Sequence, residues 1–168
     1  EGDKNTQGSY YTSTSIVNSM IGGINLENNA KFLDPCCGSG AFLLNVKVND
    51  PSQLYGIEKN RIPAFIASVN LILKFKDFDF IPNIKCSDFL FDDELFGNEI
   101  FFDVIATNPP WGNKAKVVTK LFPSKESFSQ FFVKSYLFLS PLGTLSFLFP
   151  ESILNVKTHK DIREFIIN

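Results

Sequence analysis

The stretch that most constrains this chain runs Lys31-Phe32-Leu33-Asp34-Pro35-Cys36-Cys37-Gly38-Ser39-Gly40-Ala41-Phe42-Leu43. It reads as a short apolar strand ending in an acid, then a turn with two glycines, then the start of an apolar helix. Glycines at such a turn let the chain reverse sharply and bring its backbone close to a ligand. A turn of this kind lies at the carboxyl edge of a sheet, where an open α/β sheet carries its ligands.

The rest of the chain keeps the same alternation of short apolar runs and helical patterns, so the fold class is α/β with a mostly parallel, doubly wound sheet. Thr12 to Ile21 suits an amphipathic helix stopped by Gly22-Gly23. Strands are expected at Lys31 to Asp34, Gln53 to Glu58, Asn83 to Asp88, Phe101 to Thr107 and Thr144 to Phe149. Helices are expected from Ala41, over Arg61 to Phe75, over Lys125 to Leu139 and from Asp161 to Ile167. Val104-Ile105-Ala106 is the continuous apolar run of a strand covered on both faces. A single domain over residues 1–168 is expected, with a leader and helix over 1–30 and the core over 31–168. A doubly wound sheet rarely finishes near Ile167, so the expected sheet is incomplete at its C-terminal side. The crossover at Val46 to Pro51 is short, either through missing residues or by natural trimming.

With 44% apolar and 20% charged residues, a chain of 168 residues can bury a substantial core. A net charge of -2 supplies no broad attraction for a polyanion. If nucleic acid is the substrate, another segment must grip it; Lys114, Lys116, Lys120 and Lys125 form the one lysine-dense stretch that could help, and a solvated loop is the better account of them. Phenylalanine fills 19 positions, and several late ones are expected to meet other parts of a longer protein. No apolar run is long enough to span a membrane and no basic-then-apolar segment stands at the start, so neither membrane insertion nor secretion is expected, and a cytoplasmic location is. Cys36, Cys37 and Cys86 make a poor disulfide framework, and one histidine, His159, leaves no zinc set, so no metal is expected.

Glu58 follows Gly40 by 18 residues, where a carboxylate at the end of the second strand accepts hydrogen bonds from both hydroxyls of a ribose. A nicotinamide dinucleotide site would need glycine at the position of Leu43. Asp34 would also repel a pyrophosphate, whereas it could attract an ammonium group. Asp88-Phe89 puts another carboxylate and an aromatic at the end of the third strand, fit to hold an adenine; Ser87-Asp88 is also an ordinary turn or cap.

The fourth strand runs into Asn108-Pro109-Pro110-Trp111. Two prolines fix the backbone and delete two donors, leaving a rigid loop rich in acceptors. An exocyclic amine is a weak nucleophile because its lone pair is delocalised into the ring. Accepting its two N–H bonds on the Asn108 side-chain oxygen and the Pro109 carbonyl localises and aims that lone pair, and Trp111 offers a flat surface for a base drawn from its stack. Taken alone the motif is also a simple turn with a core tryptophan.

In this order the motifs resemble the gamma-class N6-adenine DNA methyltransferases of restriction–modification systems, including Type I modification subunits and Type IIG enzymes. The resemblance covers nearly the whole chain. It implies a Rossmann-like class I fold that uses S-adenosyl-L-methionine. Tyr11 and Thr12 of the leader Gly8-Ser9-Tyr10-Tyr11-Thr12 would face the methionine end. Asp34, Pro35, Cys36, Gly38, Ser39 and Gly40 would form the first motif, Glu58 the ribose acid, Asp88-Phe89 the adenine pair, and Asn108 to Trp111 the catalytic tetrapeptide, with Asn108 also beside the cofactor. Phe147-Leu148-Phe149-Pro150-Glu151-Ser152 is similar to the family's fifth strand, which closes the base pocket. The implied partners are double-stranded DNA, held through a recognition domain or subunit beyond these residues, and restriction or specificity subunits. Tryptophan stands where tyrosine is more frequent. Glutamine and RNA methyltransferases of the same fold share part of this pattern, and a non-catalytic cofactor-binding domain of a larger defence protein is the remaining alternative, against which Asn108 and Trp111 argue.

Overall fold

The computed structural model describes residues 12–27, 29–92, 94–96, 100–111 and 126–167. Five strands, β1 (Phe32–Asp34), β2 (Leu54–Glu58), β3 (Asn83–Cys86), β4 (Phe102–Thr107) and β5 (Leu139–Phe147), form one sheet of order β3-β2-β1-β4-β5. All four neighbouring pairs run parallel. The chain moves outward from β1 to β3 and returns to β4 on the other side of β1. The carboxyl ends of β1 and β4 therefore flank the switch point, the crevice where doubly wound sheets bind ligands.

Successive side chains of a strand point to opposite faces, and the core divides accordingly. Phe32, Leu54, Val104 and Ala106 face one layer with Val17 and Ile21 of α1 (Thr14–Ile21), Phe42 and Leu43 of α2 (Ala41–Asn45), and Ala67 and Leu71 of α3 (Arg61–Phe75). Leu33, Ile57 and Ile105 face the other, with Phe89 and with Phe131 of α4 (Ser127–Leu137). A third cluster joins Phe128 and Val133 to Ile153 and to Ile162 of α5 (Lys160–Ile167), with Phe132, Phe149, Phe165 and Trp111 against it. Many of the late phenylalanines are thus spent inside this domain. Among the described residues no helix is long and apolar enough to cross a membrane.

The short crossover between β1 and β2 closes with its polar groups paired. After the five residues of α2, a 3-10 turn at Pro51–Gln53 leads into β2, and the buried Gln53 Nε2 donates to the carbonyls of Glu27 and Ala30 at 2.7 Å each. In β2, a Cβ on Gly56 would lie 2.7 Å from Ile84 Cδ1 and 2.9 Å from both Cys37 Sγ and Leu43 Cδ1. The Gly-rich turn packs onto the sheet at this point. Gly56→Val should destabilise the fold by about 1–3 kcal/mol through overpacking, read as a lower urea midpoint at unchanged slope.

Several boundaries differ from the sequence reading. The first helix starts at Thr14, with Ser13 at its cap and Thr12 outside it. α4 ends at Leu137 and β5 already begins at Leu139, because Phe102 N donates to Phe138 O at 2.8 Å and sheet pairing starts as the helix stops. Pro141 and Gly143 lie in an irregularity, since Phe102 pairs with Leu139 but Val104 pairs with Thr144. β3 ends at Cys86. Ser87 N still donates to Glu58 O, after which Asp88 opens a turn by accepting from Leu90 N at 3.1 Å.

Candidate functional site

β1 delivers Asp34 to the switch point with 1% of its surface exposed. One carboxylate oxygen accepts from Cys36 N at 3.1 Å and from the Thr107 hydroxyl at 2.7 Å. Burial raises the Asp34 carboxyl from 3.8 to about 7; the two donors pull against that, and the charge of Glu58 adds to it. Burial, reinforced by the Asp34 charge, pushes the thiols of Cys36 and Cys37 well up, so both stay protonated. Cys36 Sγ lies 2.9 Å from Thr107 Oγ1 and donates to the Asn108 carbonyl at 3.6 Å, tying the β1 turn to the loop after β4.

The two glycines of the turn do different work. Gly38 has φ +53° with no atom within 4 Å of where a Cβ would stand, so its backbone borders open space. Gly40, at φ +96°, caps α2 and packs that position 3.5 Å from Ala67 Cβ on α3. Pro35 is buried behind the turn. Asn70 of α3 donates to the Ser39 carbonyl at 3.0 Å. The half-buried Glu58 accepts from Gly38 N at 3.1 Å and, on its other oxygen, from Asn60 N at 2.8 Å and Asn60 Nδ2 at 3.0 Å. A carboxylate offers about four acceptor positions, so capacity for a further donor remains.

A cleft of about 210 Å³ opens at this turn, lined by Thr12, Asp34, Cys36, Cys37, Gly38, Ser39, Ala41, Phe42, Pro63, Ile66 and Asn108. Residues from four separate segments converge there. Asn108 Nδ2 donates to Thr12 Oγ1 at 3.0 Å, while Asn108 Oδ1 is buried without a hydrogen-bond partner among the described residues. The orphaned oxygen and the open backbone face of Gly38 fit a ligand that carries donors. The side chains also fit an adenosine bearing an amino acid: an acid for an ammonium, Glu58 for hydroxyls, and, among the described lining residues, no basic side chain for a phosphate.

Beyond Asn108, Pro109 is buried, and the Pro110 carbonyl accepts from Ser127 Oγ at 2.8 Å, which pins the loop to α4. Trp111 is half-buried against the Phe128 cluster rather than lining the cleft. Asp88 pairs with Lys59 Nζ at 2.8 Å. Phe89 corrects the expectation of a ring beside an adenine. It is 1% exposed, stacked on Phe131 at 5.5 Å with Phe138 tilted at 6.0 Å, because the turn at Asp88 points it back under the sheet. Tyr11 and the four lysines between Lys114 and Lys125 lie outside the described residues.

Sequence reading missed Thr107, Asn70, Pro63 and Ile66. Asn70 carried a signal, a polar residue inside the apolar run Val69-Asn70-Leu71. Thr107 carried a weaker one as the polar end of an apolar strand.

A parallel sheet in this order, with an acid and a Gly-rich turn after β1 and an amide loop after β4 across the switch point, defines the class: a Rossmann-like class I methyltransferase domain. The chain belongs to the N-6 DNA Methylase family, whose model matches residues 1–168. It is 29% identical over 177 residues to the Type II methyltransferase M.VspI of Vibrio sp. (strain 343), an alignment covering 98% of this chain and 42% of that enzyme. The type I restriction-modification system methyltransferase subunit from Streptococcus thermophilus superposes with a TM-score of 0.77 at 21% identity, covering 95% of this chain and 38% of that one. A class I S-adenosylmethionine-dependent methyltransferase described from Listeria monocytogenes gives 0.65 at 17% identity, covering 92% and 48%. The chain therefore spans less than half the length of each of these relatives.

Proposed function

We propose that this domain transfers a methyl group from S-adenosylmethionine to the N6 amine of adenine in DNA. The observation that carries the reading is the buried Oδ1 of Asn108, unpartnered among the described residues and held on the same cleft as Asp34, Gly38 and Ser39. Asp34 would hold the ammonium of the cofactor, the Gly38-Ser39 backbone its methionine portion, Glu58 the ribose hydroxyls and Asp88 the adenine amine. When bound, the cofactor supplies an electrophilic methyl on a sulfonium. Asn108 Oδ1 and the Pro109 carbonyl accept the two N–H bonds of the target amine, which concentrates its lone pair and aims it along the line of transfer. A strong base ahead of transfer is unnecessary, since the nitrogen gives up its proton readily once it carries the methyl and a positive charge. Trp111 supplies a ring face for the base once it leaves the duplex.

Membership of the N-6 DNA Methylase family supports the acceptor, and the Type I and Type II restriction–modification names of the relatives support work alongside restriction or specificity subunits. A net charge of -2 supports a division of labour in which a recognition domain or subunit beyond these residues grips double-stranded DNA. Such a protein works in the cytoplasm, where its DNA is. The test is to incubate the full-length protein with methyl-labelled S-adenosylmethionine and DNA, then to digest the product. Label on N6-methyladenine supports the reading, and cofactor binding without labelled adenine defeats it. Label found instead on RNA or on protein glutamine would reassign the acceptor.

Asp34 adds a pH signature. Ion pairing with an ammonium requires its carboxylate, which is mostly protonated below about 7. Cofactor affinity should therefore rise about ten-fold between pH 6 and pH 8 as the group ionises. Calorimetric titration measures this, and Asp34→Asn should flatten the profile at a low affinity.

A further inference from the structure

Asn108 and Thr12 are 96 residues apart, yet the carboxamide Nδ2 donates to the Thr12 hydroxyl at 3.0 Å, and Thr12 is 8% exposed. Thr12 sits just ahead of the Ser13 cap of α1, on the wall of the cleft. The two ends of a carboxamide have nearly the same shape, so packing alone does not choose between them. Hydrogen-bond partners do. Turned over, the amide would set its NH2 against the N–H bonds of an amine, donor against donor. A hydroxyl can serve either end; an amine that has only N–H bonds to offer requires the oxygen, and the other end then needs an acceptor nearby.

We propose that Thr12 is a positioning residue for the transfer step: when the amine of the base claims Oδ1, the Thr12 hydroxyl is the acceptor that Asn108 Nδ2 then needs, and it steadies the carboxamide in that orientation. The inference rests on the functional reading above and adds to it. A residue that merely bound the cofactor would affect cofactor affinity, whereas a residue that anchors the amide affects the rate at saturating cofactor.

The experiment compares the full-length wild type with Thr12→Val and Thr12→Ser. Valine keeps the shape and removes the acceptor; serine keeps the acceptor. Single-turnover methylation at saturating S-adenosylmethionine should fall roughly ten-fold in Thr12→Val through misorientation of the amide. The rate at saturating cofactor should recover in Thr12→Ser, whatever change in cofactor Kd accompanies Thr12→Val. Nitrogen-15 spectra of the cofactor-free proteins read the anchor directly: the Asn108 side-chain NH2 should exchange slowly in wild type and Thr12→Ser, and lose that protection in Thr12→Val. An unchanged rate, a loss confined to cofactor Kd, or unchanged NH2 exchange in Thr12→Val overturns the proposal. A wild type that methylates no adenine would instead defeat the functional reading, and the NH2 comparison would still decide whether Thr12 anchors the amide.

Discussion

Asn108→Ala should lower methyl transfer by about a thousand-fold, the scale seen when a preorganised group that meets the transition state is removed, while cofactor Kd changes by a few-fold at most. The residue directly follows β4, with one end of its amide bonded to Thr12 and the other unpartnered among the described residues. Stability separates a reactive role from a structural one. Alanine removes one side-chain hydrogen bond, worth about 1 kcal/mol, but also removes a buried unsatisfied oxygen that costs on the order of 1–3 kcal/mol. The variant should thus melt at or slightly above the wild-type temperature. Activity lost together with several degrees of melting temperature would mean that Asn108 is a structural residue and that the transfer chemistry lies elsewhere.

The parts of this site that could be read from sequence are those where one residue type is required by local backbone or by chemistry. The Gly38 and Gly40 positions both carry positive φ, a demand visible in the glycines themselves. Asp34 and Glu58 end strands of a parallel sheet and Asn108 directly follows one, and period and length alone bring strand ends to one edge. What sequence could not supply was the direction of side chains around turns. Asp88-Phe89 looked like a pair acting together, but the turn that Asp88 opens sends Phe89 into the core against Phe131. Thr107 escaped notice because a threonine ending an apolar strand is unremarkable until the register sets it beside Asp34, 73 residues away. The boundary between α4 and β5 differs for a related reason: Pro141 and Gly143 stand between the expected helix and the expected strand, whereas they lie in an irregularity within the strand.

Asp34→Asn should make the cofactor-free protein more stable at neutral pH while removing its hold on the cofactor. The wild-type carboxyl is raised from 3.8 to about 7 by burial, so the folded state binds this proton more tightly than the unfolded state does. For an acid shifted upward, stability is fully present below the unfolded pKa and declines as pH rises, reaching its lower level once pH passes the folded value. A shift of roughly three units corresponds to about 4 kcal/mol lost by pH 7 and above. Asparagine mimics the protonated acid in shape and neutrality, and its oxygen can still accept from the Thr107 hydroxyl and Cys36 N. The variant's advantage should grow from pH 4 to pH 7 and then level off, at roughly 10 °C in melting temperature for a domain of this size. Thermal scans of both proteins across that range measure it; an advantage that is constant with pH, or that shrinks as pH rises, would contradict the buried-charge account. Asp34 is then a residue that weakens the fold where it strengthens binding, because an ammonium brought to its carboxylate supplies the counter-charge that burial withholds.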